Sequence, residues 1–284
     1  MKKILIYLDN QRFANPFDLI MSLDSGFDHV IPYSGVNSEN VDFIINNAIF
    51  PRSPNDCKNT VIYIGGSIEE AEKIFRKIKE VMRYSIQLSV IFDPSGACTT
   101  AAAAVAKMDK MVSGLRGKKT TILAGTGPIG QISATLCSTL GSEVTITSRT
   151  REKAVKVANS ITNKSQGKVI GVQGGTLQER VDACRDADVV MATGSLGVQL
   201  IDSESLSKIS PKLIADVNVV EPFGIDGLDP NKKLKELHGA KALDGLEIGL
   251  LKNMVEAEIL KKATENVAFY DYNDALKIAR ELCE

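Results

Sequence analysis

The sequence predicts an α/β protein of two domains, each a parallel sheet covered by helices. Three observations predict it. Short apolar runs alternate with helical patterns along the chain, as repeated βα units do. The alternation pauses at a polar, glycine-rich stretch, S-G-L-R-G-K-K (113–119), and then starts again. The length, 284 residues, is that of about two domains and lets the chain bury roughly three quarters of its unfolded surface.

The first part offers strands at 4–8, 29–32, 60–64 and 87–92, separated by helices at 16–23, 40–46 and 68–82. The third helix is the clearest. Ile68, Ala71, Ile74, Phe75, Ile78, Val81 and Met82 share one face. Glu69, Glu70 and Glu72 open it and Lys77 and Lys79 follow, which matches the helix dipole. An alanine-rich segment, 99–112, reads as a buried helix ending near Gly114. Beyond the break come strand 120–124, helix 129–140, strand 143–147, helix 152–161, strand 168–172, helix 177–185 and strands 188–192 and 213–216. Two final helices, 248–264 and 273–282, are expected to return to the first domain. The expected division is therefore 1–114 with about 248–284, against 115–247.

The restart carries the chemistry. T-I-L-A-G-T-G-P-I-G (121–130) places Gly125, Gly127 and Gly130 between a buried strand and a helix of small residues. That is the strand–turn–helix context a G-x-G-x-x-G dinucleotide fingerprint requires. Gly125 permits the tight turn, Gly127 lets backbone reach a pyrophosphate, and Gly130 lets helix pack on strand. Thr126, Pro128 and Ile129 complete the loop, and proline is tolerated in a first helical turn, where its missing N–H would be unpaired anyway. The bland alternative is a structural βα turn. The second domain is thus expected to be a Rossmann dinucleotide-binding domain.

An NAD site usually carries Asp or Glu at the tip of the next strand. Here the tip reads Ser148-Arg149-Thr150-Arg151, with Lys153 beyond. Ser148 can hydrogen-bond a 2′-phosphate, and Arg149 and Lys153 can pair with it, so the reading is NADP. The alternative is a solvated basic loop. Two further strand ends fall on the expected ligand edge. Thr193, Gly194 and Ser195 come from M-A-T-G-S-L-G, and Asn218 from A-D-V-N. Both stretches also fit ordinary turn chemistry.

Composition excludes other classes. With 34 basic and 35 acidic residues, net charge −1, nothing argues for nucleic acid or an anionic membrane surface. No apolar run approaches the roughly 18 residues of a membrane span. Only five apolar residues separate Lys3 from Asp9, which reads as a strand and not a signal peptide. The five cysteines are odd in number and form no C-x-x-C, as expected of a reduced, cytoplasmic chain. The two histidines, His29 and His238, have no metal-like neighbours, so no metal is expected. There is no G-x-S-x-G either. Chemistry with little proton traffic fits best, such as hydride transfer from a primed substrate.

Several stretches together resemble the NADP-dependent methylene-tetrahydromethanopterin dehydrogenases of bacterial one-carbon metabolism. They are P-F-D-L-I (16–20), F-D-H-V-I-P-Y (27–33), V-I-Y-I-G-G (61–66), D-P-S-G-A-C-T-T-A-A-A (93–103), the glycine loop, and G-L-E-I-G-L-L-K (245–252). The resemblance implies a pterin-binding domain followed by a Rossmann domain with a cleft between them, and a trimer or larger homo-oligomer such as a hexamer. It implies oxidation of the methylene bridge between two pterin nitrogens to the methenyl cation. By matching position, Asp18 and Lys252 would be the polar groups facing the pterin, with Asp93, Ser95, Thr99 and Thr100 as further substrate contacts. N-capping of the following helix is the other reading of Ser95 and Thr99, a first-turn acid that of Asp18, and a surface lysine that of Lys252. The chain departs from the family after Lys252, with Glu256 where a family histidine stands.

Two other classes compete with this reading. A shikimate-type or folate-type two-domain dehydrogenase relies on a first-domain lysine, and none lies between Lys3 and Lys58. A non-enzymatic NADP(H) sensor would need an exposed apolar patch that the sequence does not specify.

Overall fold

The computed structural model describes residues 1–82, 87–165 and 167–283. It divides into two compact units, Met1–Thr99 with Asn253–Ile278, and Thr100–Lys252 with Ala279–Glu284.

The first unit is built on five parallel strands in the order β12-β4-β3-β1-β2. They are β1 (Ile4–Leu8), β2 (His29–Tyr33), β3 (Thr60–Ile64), β4 (Ser89–Phe92) and β12 (Phe269–Tyr270). Helices α1 (Pro16–Asp24), α2 (Val41–Ile49) and α3 (Ile68–Val81) are the crossovers. The central strands β3 and β4 are buried throughout, as a parallel sheet covered on both faces demands. β2 is the exposed edge and carries Pro32, which is tolerated where the missing donor faces no neighbour. The short β12 lies outside the expected elements. Two residues between helical patterns carry no periodicity to detect, and pairing with β4 alone makes them a strand.

The second unit holds seven strands in the order β10-β11-β9-β8-β5-β6-β7. They are β5 (Lys119–Leu123), β6 (Glu143–Ser148), β7 (Val169–Gln173), β8 (Val189–Ala192), β9 (Leu213–Asp216), β10 (Glu236–Leu237) and β11 (Ala240–Leu243). Six run parallel in the doubly wound dinucleotide-fold order, and β10 adds an antiparallel edge. The hairpin of β10 and β11 was not expected: β10 has only two residues, and Lys241 interrupts the apolar run of β11. Helices α5 (Pro128–Thr139), α6 (Arg151–Ser165), α7 (Leu177–Cys184) and the single-turn α8 (Ser203–Leu206) complete it.

The division within the chain differs from the expected one. The glycine-rich stretch 113–119 is a turn inside the second unit, and the boundary falls at Thr99–Thr100, within helix α4 (Ala97–Met111). The reason is where the second half of α4 is anchored. Asp109 accepts from the backbone N–H of Leu115 at 2.8 Å and pairs with Arg280, and the Met111 carbonyl accepts from Lys241 at 2.7 Å. The last helices, α9 (Gly245–Glu265) and α10 (Tyr272–Cys283), likewise divide between the units. α9 starts earlier than the periodicity suggests because the Asp244 carboxylate accepts from Glu247 N at 2.9 Å and caps it. No helix among the described residues is long and apolar enough to cross a membrane.

Candidate functional site

In a doubly wound sheet, ligands bind beyond the carboxyl ends of the strands, where the strand order reverses. In the second unit that point lies between β5 and β8. The fingerprint loop follows β5. A Cβ on Gly125 would lie 2.9 Å from the Ile122 carbonyl, and one on Gly130 would lie 2.6 Å from Gly125 Cα. Both positions therefore require glycine. Gly127 is different: a Cβ there meets nothing nearer than the Ala124 carbonyl at 3.9 Å. Its bare backbone faces open space at the start of α5, where no side chain caps the helix and Pro128 takes the first turn. An open helix start of this kind can hold an anion such as a pyrophosphate. Ala124, just before the loop, takes the left-handed conformation at φ 54°, a strained position of the kind found at functional sites. The loop is pinned by Gln131, which donates to the Thr126 carbonyl at 2.9 Å.

Ser148 stands at the tip of β6 and accepts from Thr126 at 3.3 Å. Arg149 and Lys153 are exposed beside it, and the tip carries no acid. These groups fit a 2′-phosphate. Thr193, Gly194, Ser195 and Asn218 all fall on the same sheet edge, but their side chains do different work. The Thr193 hydroxyl donates to the Leu123 carbonyl at 2.9 Å and packs against Gly130. Gly194 is crowded by Leu200, whereas Ser195 is exposed. Asn218 is buried and ties its own loop, donating to the Pro222 carbonyl at 3.3 Å and accepting from Val220 N at 3.0 Å. The two strand-end stretches thus use Thr193 and Asn218 as loop braces. Asp216 clamps the same loop through the N–H groups of Asn218 and Ile225, while burial pushes its carboxyl up to about 6.

In the first unit the order reverses between β1 and β3. Their ends carry Asp9 and the pair Gly65–Gly66. Around this point lie buried polar side chains from several elements: Tyr7 and Asp9 from β1 and its end, Asp18 from α1, Tyr63 from β3, Asp93 after β4, and Glu256 from α9. Tyr7 and Tyr63 are register partners whose rings stack at 5.3 Å. Tyr7 donates to Asp18 Oδ2 at 2.7 Å and Tyr63 donates to Asp93 Oδ2 at 3.3 Å. Asn15 caps α1 and also donates to Asp18 Oδ2 at 3.1 Å. Burial first, and then neighbouring carboxylates, push both phenols far up, so each is a neutral donor.

Of the sequence-predicted substrate residues, Asp18, Asp93, Ser95 and Thr99 belong to this unit, and Thr100 and Lys252 to the second. Asp18 is fully buried, so it is more than an exposed first-turn acid. Lys252 is also buried and stands one helical turn before Glu256 on α9. Asp93 accepts from Cys98 N at 2.7 Å, Thr99 N at 3.2 Å and the Thr99 hydroxyl at 2.7 Å, which makes it the cap of α4. Thr99 therefore serves Asp93. Ser95 is exposed, left-handed at φ 53°, and donates to the Gly66 carbonyl at 2.8 Å. Thr100 is half-buried in the first turns of α4.

Comparison with known proteins decides the family. Residues 16–95 match a family model described as methylene-tetrahydromethanopterin dehydrogenase, N-terminal. Over 285 residues, and 99% of both chains, the sequence is 31% identical to a bifunctional protein MdtA of Methylorubrum extorquens. It is also 31% identical over 294 residues, again 99% of both, to an NAD(P)-dependent methylenetetrahydromethanopterin dehydrogenase of the same organism. The chain belongs to the methylene-tetrahydromethanopterin dehydrogenase family. Its fold is shared more widely: a shikimate 5-dehydrogenase from Listeria monocytogenes superposes with a TM-score of 0.59 at 13% identity, over 100% of this chain and 96% of that one.

Sequence reasoning about this family member missed Tyr7, Asp9, Asn15 and Tyr63. Three of them sit in or beside apolar strands and read as core or turn. One signal was available: a tyrosine at the end of a wholly buried parallel strand needs a partner for its hydroxyl.

Proposed function

We propose that this protein oxidises 5,10-methylene-tetrahydromethanopterin with NADP, giving the methenyl form and NADPH. The carrying observation is the buried carboxylate of Asp18, fixed by neutral donors, in a chain related over its whole length to dehydrogenases of this substrate. The methylene carbon loses hydride, two electrons with one proton, to the nicotinamide. The pterin becomes a cation delocalised over both nitrogens, so no protein base is needed.

The chain's own work is positioning and electrostatics. The Gly125–Gly130 loop and Ile129 hold the pyrophosphate, and Ser148, Arg149 and Lys153 hold the 2′-phosphate. Asp18 supplies fixed negative charge toward the developing cation, and Lys252 orients the pterin. Ser95 and Thr100 are further substrate contacts, while Asp93 and Thr99 support the wall behind them. Methylene-tetrahydrofolate is a second substrate of the same chemistry. The protein works in the cytoplasm as a homo-oligomer, a trimer or a hexamer. A groove of about 580 Å³, lined by Ile4, Ile31, Phe43 and Ile44, supports that reading by offering apolar surface to another copy.

The test is absorbance at the NADPH band, with NADP or NAD and each methylene carrier in separate cuvettes. NADPH formed with the methanopterin carrier is expected. NADP binding without turnover on either carrier would overturn the reading and favour a nucleotide sensor.

A further inference from the structure

Gly65 and Tyr7 are joined by a steric fact. A Cβ on Gly65 would lie 2.1 Å from the Tyr7 hydroxyl oxygen and 2.6 Å from its ring carbon Cζ. Real side chains do not tolerate such an approach, so the residue after β3 must be glycine for the phenol to lie where it does. Gly65 is not left-handed, and backbone conformation gives no other reason for glycine there. The space so made is used by one group. The Tyr7 hydroxyl passes through it to Asp18 Oδ2 at 2.7 Å, with a longer approach to Asp9 Oδ2 at 3.4 Å.

We propose that Tyr7, admitted by the missing side chain at Gly65, is a positioning residue for the hydride transfer: its hydroxyl fixes the Asp18 carboxylate in the ionised form and orientation the reaction uses. This rests on the functional reading of Asp18 given above. A hydrogen bond donated to a carboxylate favours its charged form, and such charge-assisted bonds are the strong ones. Tyr7 can give this proton bond at any working pH because its own phenol stays neutral. The groups facing it are Asp18 from α1, Asp9 from the end of β1 and the stacked Tyr63 ring from β3. Tyr63 in turn faces Asp93 and Glu256. The carboxylates among these groups act against the ionisation of Asp18 by like-charge repulsion. The Tyr7 hydroxyl at 2.7 Å and the Asn15 amide at 3.1 Å both donate to Asp18 Oδ2 and act in the opposite direction.

The experiment is the pH profile of kcat/KM for Tyr7→Phe with methylene-tetrahydromethanopterin and NADP, beside wild type and Asp18→Asn. The expected result is a fall in kcat of about tenfold or more, with the acid limb moved up by roughly one pH unit and NADP affinity unchanged. Asp18→Asn is expected to be nearly inactive at every pH. A Tyr7→Phe enzyme with wild-type kcat and an unmoved acid limb overturns the proposal, and if Asp18→Asn is then inactive the functional reading survives it. A wild type without turnover overturns the functional reading itself. Should Tyr7→Phe not fold, Gly65→Ala displaces the hydroxyl while keeping it in the chain and must reproduce the shift. Failure of both variants to fold makes the hydroxyl structural and counts against the proposal.

Discussion

The two units present opposite kinds of surroundings at the same place in the same kind of sheet. In the second, the switch point is edged by backbone: Gly127 faces open space, and the residues around it are fixed so that peptide groups can approach an anion. In the first, the switch point is crowded with side chains: Gly65 leaves room for one phenol and no more, and carboxylates from four elements close around it. A phosphate is recognised by N–H groups and charge, which a local loop can supply alone. A reacting ring that becomes a cation needs oriented negative charge, which only side chains gathered from distant segments can supply. The difference also separates failure modes. On the proposed function, the glycine loop would lose binding without losing fold, whereas the carboxylate cluster would couple the two.

The largest expected effect tests the cluster. Asp18→Asn keeps the shape and removes the charge, so kcat falls by roughly a hundred- to a thousandfold, with the NADP dissociation constant unchanged by fluorescence titration. A parallel loss of NADP affinity would break the separation between the two surfaces. Next comes a pair within the loop. Gly127→Ala has room for its methyl group, so thermal unfolding stays at the wild-type midpoint while NADP binds roughly ten- to a hundredfold more weakly. Gly130→Ala has none, and overpacking against Gly125 and Thr193 costs about 1–3 kcal/mol of stability in a denaturant melt. Equal behaviour of the two would show that the loop is not an open cradle.

Arg149→Ala sharpens the nucleotide side further. Removing one charge-assisted contact lowers the NADP-over-NAD preference by about tenfold, read as the ratio of kcat/KM values, without moving the melting temperature. The smallest effect on activity concerns Asp216. Burial raises its carboxyl to about 6 in the folded chain, so the stability it contributes is present at low pH and lost as pH rises through that value. Between about pH 4.5 and 7 the wild type should lose about 2 kcal/mol relative to Asp216→Asn in urea melts. A difference of the opposite sign would show that the backbone N–H bonds to Asp216 outweigh its burial.

Much of this was legible in the sequence, and for a stated reason. The βα alternation follows from burial of parallel strands, so β1, β3 and β9 begin and end where the apolar runs do. The strand–turn–helix at the glycine loop was readable because its signals are local: glycines at fixed spacing and a proline in the first turn. Asp18 and Lys252 were expected to face a substrate only through resemblance, since periodicity places them on helices and says nothing of what they meet. Three things were decided by tertiary structure alone. The boundary moved from 113–119 into α4 because Asp109 and Met111 bind partners far along the chain. The short strands β10, β11 and β12 exist because a sheet edge was there to pair with. Tyr7, Tyr63, Asp93 and Asn15 became a network around Asp18 because folding brings together distant segments, 30 residues apart in the Tyr63–Asp93 bond and farther still in the Tyr7–Tyr63 ring contact. Local spacing encodes what a loop can do by itself; the direction of a side chain toward a distant partner is set only when the sheet has formed.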